Sequence, residues 1–226
     1  MAVAEPLQVS DTAIELGRLY SVAPTPEAAE EFGRRLAATH RSGATRHGCP
    51  PGMWPGDGYI GPLPLPHDHG DGAGQPWGRF FARLRIGPYA AAARNRGTLS
   101  AADMLAVERV CERLEDGEED LTGPAAEPSR LHGDLWSGNV LWTEGGVTLI
   151  DPAAHGGHRE SDLAMLALFG LPLLDRVLGS YAEAWPLADG WRERVPLHQL
   201  FPLLVHAVLF GGGYGAQAGA AARRYC

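Results

Sequence analysis

The chain lacks lysine entirely; all 19 of its basic residues are arginine. Any chemistry that needs a lysine therefore cannot take one from these 226 residues. Cysteine is nearly as scarce. Cys49, Cys111 and Cys226 lie far apart with no C-x-x-C pair, which argues against a disulfide framework or a zinc site and fits a reducing cytoplasm. There is no basic, apolar leader of the export type at the N-terminus. The longest apolar stretches, Leu163 to Leu174 and the neighbourhood of Leu203 to Phe210, are too short to span a bilayer, and the second contains His206. A net charge of −8 argues against nucleic acid or an anionic membrane surface as partner. No internal repeat is evident. What is abundant is apolar residues, 45%, against 20% charged, the balance of a globular chain with a sizeable core.

The pattern along the chain predicts an α+β architecture that is predominantly helical. Leu7-Gln8-Val9 and Ala13-Ile14-Glu15-Leu16 read as two strands joined by a turn at Ser10-Asp11. Two strands alone leave open edges and look like the end of something larger. Thr25-Pro26-Glu27 announces a helix: a cap, a proline suited to the first position and acids at the positive end of the dipole. Ala29, Phe32, Leu36 and Ala37 share one face of it. Residues 48–76 read as a long ordered loop, rich in Gly and Pro. Trp77, Phe80, Phe81 and Leu84 resume a helical stripe, more in keeping with core than with a sugar platform. Ser100 to Asp103 resembles a capping box for a helix with Met104, Val107, Val110, Cys111 and Leu114 inward. Residues 116–128 read as a surface connection. Arg130-Leu131 is a short strand, and Val140–Trp142 with Val147–Ile150 form a hairpin across Glu144-Gly145-Gly146. Helices are then predicted over about 160–169, 172–185 and 194–210.

The chemistry-bearing stretch runs from His132 to Asn139 (His-Gly-Asp-Leu-Trp-Ser-Gly-Asn) and on to Ile150-Asp151-Pro152. Phosphoryl transfer needs a carboxylate facing the attacking hydroxyl, and an amide oxygen and a second carboxylate to hold Mg²⁺. Asp134, Asn139 and Asp151 supply that set, and the hairpin returns Asp151 to the side of Asn139. Hard oxygen donors in small number suit Mg²⁺. His132 is expected to hold the loop's backbone. Asp162, at the start of the next helix, is expected to tie the loop down by accepting backbone N–H bonds.

These segments, with Gly157-His-Arg-Glu-Ser-Asp-Leu-Ala-Met165, Leu168-Phe-Gly170, Tyr59-Ile-Gly-Pro62 and Trp77-Gly-Arg-Phe-Phe81, resemble the fructosamine kinase (ketosamine-3-kinase) family over about residues 7–215. The resemblance implies the protein-kinase-like fold shared with aminoglycoside and choline phosphotransferases. It implies ATP- and Mg²⁺-dependent phosphorylation of the O3 hydroxyl of a small or protein-bound ketosamine, whose product releases the amine, a deglycation repair. It assigns Asp134 as base and Asn139 and Asp151 as metal ligands, and it makes His158, Arg159 and Glu160 candidates for the acceptor side.

Kinases of this architecture carry an N-terminal lobe with a glycine-rich phosphate cover and a lysine on the α/β-phosphates. Residues 1–22 match only the last two strands and the hinge of that lobe, and residues 23–226 its helical C-lobe with catalytic loop and metal-site hairpin. The expectation is therefore an incomplete site, weakly active or inactive alone. Arg18 does not substitute for the lysine. Gly211–Gly215 follows an apolar helix and reads as a helix terminus or close helix packing rather than a phosphate loop. His67-Asp68-His69 with Asp71 is a weak metal motif in a loop. Two alternatives remain open at this point: a non-catalytic, pseudokinase-like binding module, and a phosphotransferase of the same fold acting on an aminoglycoside or choline.

Overall fold

The computed structural model describes residues 1–10, 12–52, 54–70 and 74–226. Helices dominate, with four small sheets between them, as the sequence pattern predicts. β2 (Pro6–Val9) and β3 (Ile14–Leu16) pair antiparallel and are exposed along their whole length. Asp11 of the predicted turn lies outside the described residues. A further strand, β1 (Ala2–Val3), runs parallel to β8 (Gly146–Leu149), with Ala2 opposite Thr148.

The sequence-predicted caps form. Thr25 Oγ1 accepts the Ala28 N–H at 3.2 Å at the head of α1 (Pro26–Arg41), which buries Ala29, Phe32, Leu36 and Ala37. Ser100 accepts the Asp103 N–H at 3.1 Å at the head of α4 (Ala101–Asp116). The long loop is more regular than its composition suggests. It holds a hairpin of β4 (Gly58–Ile60) and β5 (Leu63–Leu65), which places Ile60 and Leu65 in the core.

The stripe that opens at Trp77 departs from helical spacing. After α2 (Trp77–Phe80) the chain winds as a π-helix over Phe81–Ile86 before α3 (Gly87–Asn95). The wider turn shifts the inward position by one residue. Arg85, not Leu84, is fully buried, and Leu84 sits at the margin. The short α5 (Glu119–Thr122) lies in the connection before β6 (Ser129–Leu131).

Downstream, β7 (Val140–Thr143) and β8 form the expected hairpin, and β9 (His155–Gly157) pairs back onto β6. Helices α6 (Glu160–Leu168) and α7 (Leu174–Ala184) follow. The predicted helix over 194–210 is in fact two, α8 (Trp191–His198) and α9 (Leu200–Phe210), with Pro196 and Pro202 flanking the break at Gln199. A last helix, α10 (Tyr214–Ala222), was not foreseen. It packs so closely that a Cβ on Gly215 would lie 1.8 Å from the Thr98 carbonyl oxygen, and Gly211 ends α9 at φ 66°. The glycine run is thus a helix terminus and a close contact, with no phosphate-loop geometry.

Two apolar cores result. One gathers Trp77, Phe80, Phe81 and Ile86 with α4 and α8–α10; the other gathers α1, α7 and the β7–β8 hairpin. Each buried side chain of this size contributes about 1.5–3 kcal/mol of transfer free energy. The segment from β6 to β9 joins them: Leu135 belongs to the second core and Ala153 to the first. The loop bearing Asp134 is therefore held from both sides.

Candidate active site

The loop leaves β6 through a turn that only glycine fits. Gly133 sits at φ 82°, and a Cβ there would meet the Ala153 carbonyl oxygen at 2.1 Å. Asp162, buried in the first turn of α6, accepts the backbone N–H of His132 at 2.8 Å and of Gly133 at 3.0 Å. His40 Nε2 donates to the same carboxylate at 3.1 Å, and its Nδ1 meets the Tyr181 hydroxyl at 2.9 Å. Burial alone would raise the Asp162 carboxyl, but the hydrogen bonds it accepts, from His40 and from the His132 backbone N–H, hold it below the ordinary value. One ionised carboxylate thus ties α1, α6 and the loop together.

His132 is fixed in one tautomer. Its Nε2–H donates to the Ile150 carbonyl at 2.9 Å, so Nδ1 accepts from the Asp134 N–H at 3.3 Å. The half-buried Asp134 is pushed upward by burial. Asn139 Nδ2 donates to the Asp134 carbonyl at 2.9 Å and to its carboxylate at 3.2 Å. That network directs the amide hydrogens at Asp134 and leaves Oδ1 as the oxygen for a ligand. Across the hairpin, the Ile150 N–H donates to the Asn139 carbonyl at 3.2 Å. Asp151 follows directly, exposed and left-handed at φ 49°, a conformation Asp tolerates and one common at functional positions. An amide oxygen and a carboxylate are hard donors of the kind that suits Mg²⁺.

The acceptor-side candidates of the motif after Asp151 are held by the surrounding helices. His158 and Glu160 follow β9 directly and are buried. His158 stacks at 5.1 Å from both Trp77 and His198. Glu160 receives Arg194 Nη2 at 2.7 Å and Nε at 2.9 Å. Burial would raise its carboxyl, but hydrogen bonds from His198 and Arg194 hold it at about 2. Arg159 donates to the carbonyls of Trp185 and Pro186 and lies 3.9 Å over the Trp185 ring. These three residues fasten helices to one another.

Trp136 of the Asp134 loop joins an aromatic cluster that sequence reasoning did not assign. Trp136 is 39% exposed and packs edge-on against Phe169. His206 lies 4.7 Å from Phe169, 5.3 Å from Phe210 and 5.1 Å from Tyr214, and it is among the groups near enough to bear on the Asp134 carboxyl. Its Nδ1–H donates to the Pro202 carbonyl at 2.8 Å, which leaves Nε2 as an acceptor. The signal was present: a lone histidine in an apolar helix, four residues before Phe210 on the same face.

Behind the loop, Arg85, Gly133, His155 and Asp162 line a cavity of about 20 Å³. Burial lowers Arg85 to about 10 and His155 to about 3. Of the loop motif, Asp68 turns away to accept from Gly70 and Gln75, and Asp71 lies outside the described residues.

Comparison with known proteins places this geometry. The family model described as fructosamine kinase matches residues 19–225. A probable ketoamine kinase of Synechocystis sp. is 36% identical over 189 residues, which is 83% of this chain and 58% of that protein. A crystal structure from Thermobifida fusca, provisionally assigned as a fructosamine-3-kinase, superposes with a TM-score of 0.84 at 51% identity, over 93% of this chain and 69% of that one. A thermostable mutant of an aminoglycoside phosphotransferase shares the fold alone, with a TM-score of 0.57 at 17% identity over 99% of this chain and 76% of that one. The chain spans 58% and 62% of the length of two of the curated relatives it matches. Its motifs, its fold and these likenesses agree: the chain belongs to the fructosamine kinase family.

Proposed function

We propose that the site serves ATP-dependent phosphorylation of the 3-hydroxyl of a ketosamine, the sugar adduct on a glycated amine. The observation that carries the reading is the Asp134 carboxylate, oriented by Asn139 on a loop fastened by Asp162. Asp134 accepts the hydrogen bond of the incoming hydroxyl, aims its oxygen and takes its proton as the bond to phosphorus forms. A carboxylate whose affinity for protons is raised by burial suits that task. Asn139 Oδ1 and Asp151 would hold Mg²⁺, which when bound neutralises charge on the phosphate oxygens. The aromatic cluster of Trp136, Phe169 and His206 offers an apolar face and one acceptor nitrogen to the ketosamine. Release of the amine from the phosphorylated product makes the role deglycation repair.

A substrate panel tests the reading. Ribulosyl-lysine or fructosyl-lysine should be phosphorylated in preference to an aminoglycoside or choline. Reaction of an aminoglycoside with inert ketosamines would assign the site to another hydroxyl.

One observation favours a second reading. With no lysine in the chain, no lysine grip on the α/β-phosphates can come from it. A binding module without catalysis would show weak or no Mg·ATP binding by calorimetry and no phosphorylated product.

A further inference from the structure

The β4–β5 hairpin is closed at its base by three side chains that the phosphotransfer site does not use. Register places Gly58 opposite Leu65, so Asp57 and the segment from Pro66 to His69 meet at the open end. Asp57 Oδ1 accepts the His67 N–H at 2.8 Å and faces His69 Nε2 at 3.1 Å. Asp57, His67 and His69 each offer one ligand atom, and these atoms lie within 4.8 Å of one another.

Hydrogen bonding accounts for Asp57 and His69 but not for His67. His67 is 7% exposed, and its ring Nδ1–H donates to the Gly56 carbonyl at 3.1 Å. That bond fixes the tautomer and leaves the lone pair on Nε2. Nε2 is buried and has no hydrogen-bond partner among the described residues. A backbone carbonyl on one imidazole nitrogen and an unused lone pair on the other is the arrangement that prepares a histidine for a metal.

We propose that Asp57, His67 and His69 bind a Zn²⁺ ion that fastens the base of the β4–β5 hairpin. Two imidazoles and a carboxylate suit zinc, with water in the fourth position. Metal bonds of about 2.1 Å set tetrahedral ligand atoms about 3.4 Å apart. Closing from 4.8 Å falls to Asp57 and His69, whose side chains are 53% and 43% exposed. The hairpin has reason to be held. Its Pro64 carbonyl accepts the Tyr89 hydroxyl at 2.6 Å, and the neighbouring Pro66 carbonyl accepts Arg85 Nη1 at 2.7 Å. The other histidine–carboxylate cluster, His158, Glu160 and His198, is less suited, because Arg194 already occupies both oxygens of Glu160.

Equilibrium dialysis of the whole chain against Zn²⁺, with metal counted by mass spectrometry, tests the site. One Zn²⁺ per chain is expected, with a rise in Tm that a chelator reverses and that excess Mg²⁺ does not produce. H69A and D57N change exposed side chains, so the fold should persist while Zn²⁺ affinity falls by at least about tenfold. Substoichiometric zinc in the wild type, or stoichiometric zinc of unchanged affinity in both variants, would overturn the proposal.

Discussion

The carboxylate of Asp162 accepts the backbone N–H of His132 at 2.8 Å across 30 residues of chain. The same group binds Gly133 and His40, so a single side chain satisfies two buried backbone donors and a buried imidazole. Asp162→Ala removes all three partners at once. A loss of about 3–5 kcal/mol is expected, because the groups left behind are buried and unpaired. Urea denaturation measures it, and an unchanged midpoint would contradict the anchoring role.

The two buried arginines should answer differently to removal. Arg194 neutralises Glu160, whereas Arg85 has no carboxylate partner among the described residues; it lies 4.8 Å from the Phe80 ring centroid and donates to the carbonyls of Pro66 and Leu84. Arg194→Met strands a buried charge and is expected to cost about 3–5 kcal/mol. Arg85→Met removes a charge already short of compensation and is expected to cost no more than about 1 kcal/mol. Equal destabilisation of the two variants in chemical denaturation would refute this contrast.

Buried histidines set the acid side of stability. Burial, with the Arg85 charge, holds His155 at about 3; burial holds His158 well below its ordinary 6.5 and also lowers His198. The unfolded chain therefore takes up protons near pH 6.5 while the folded chain does not. Stability from these groups is fully present above about 6.5 and declines as pH falls toward about 3. Glu160, held at about 2 against an ordinary 4.5, contributes above 4.5 and is lost as pH falls through 2. Melting temperature should thus fall between pH 7 and 5, before ordinary carboxylates titrate. A flat profile over that range would contradict neutral burial of the histidines.

Gly215→Ala places a methyl against the Thr98 carbonyl oxygen, a contact of 1.8 Å that backbone must move to relieve. A cost of about 1–3 kcal/mol is expected. Gly179, whose Cβ would meet nothing within 4 Å, is a matched control in which alanine should be neutral or better. Similar melting temperatures for the two variants would refute the close packing of α10.

Much of this was legible in the sequence because it is local. Thr25 and Ser100 announce caps within three residues of the groups they bind, and a short hairpin suffices to bring Asp151 back toward Asn139. What escaped depends on distant partners or altered winding. The pairing of Ala2 with Thr148 is parallel and non-local. The inward turn of Arg85 follows from a π-helix that α-helical spacing does not encode. The burial of His158 and Glu160 is set by partners far along the chain, Trp77, Arg194 and His198. His206 joins the loop only through the packing of α9.

The central claim is that Asp134 is the base of a ketosamine phosphotransfer site. The direct measurement is Mg·ATP-dependent phosphorylation of ribulosyl-lysine by this chain, followed by ³¹P NMR, for the wild type and Asp134→Asn. Slow turnover is expected from a chain without a phosphate lysine, with at least about a 100-fold loss in the variant and an unchanged melting temperature. Equal, measurable rates in the two proteins would contradict the account.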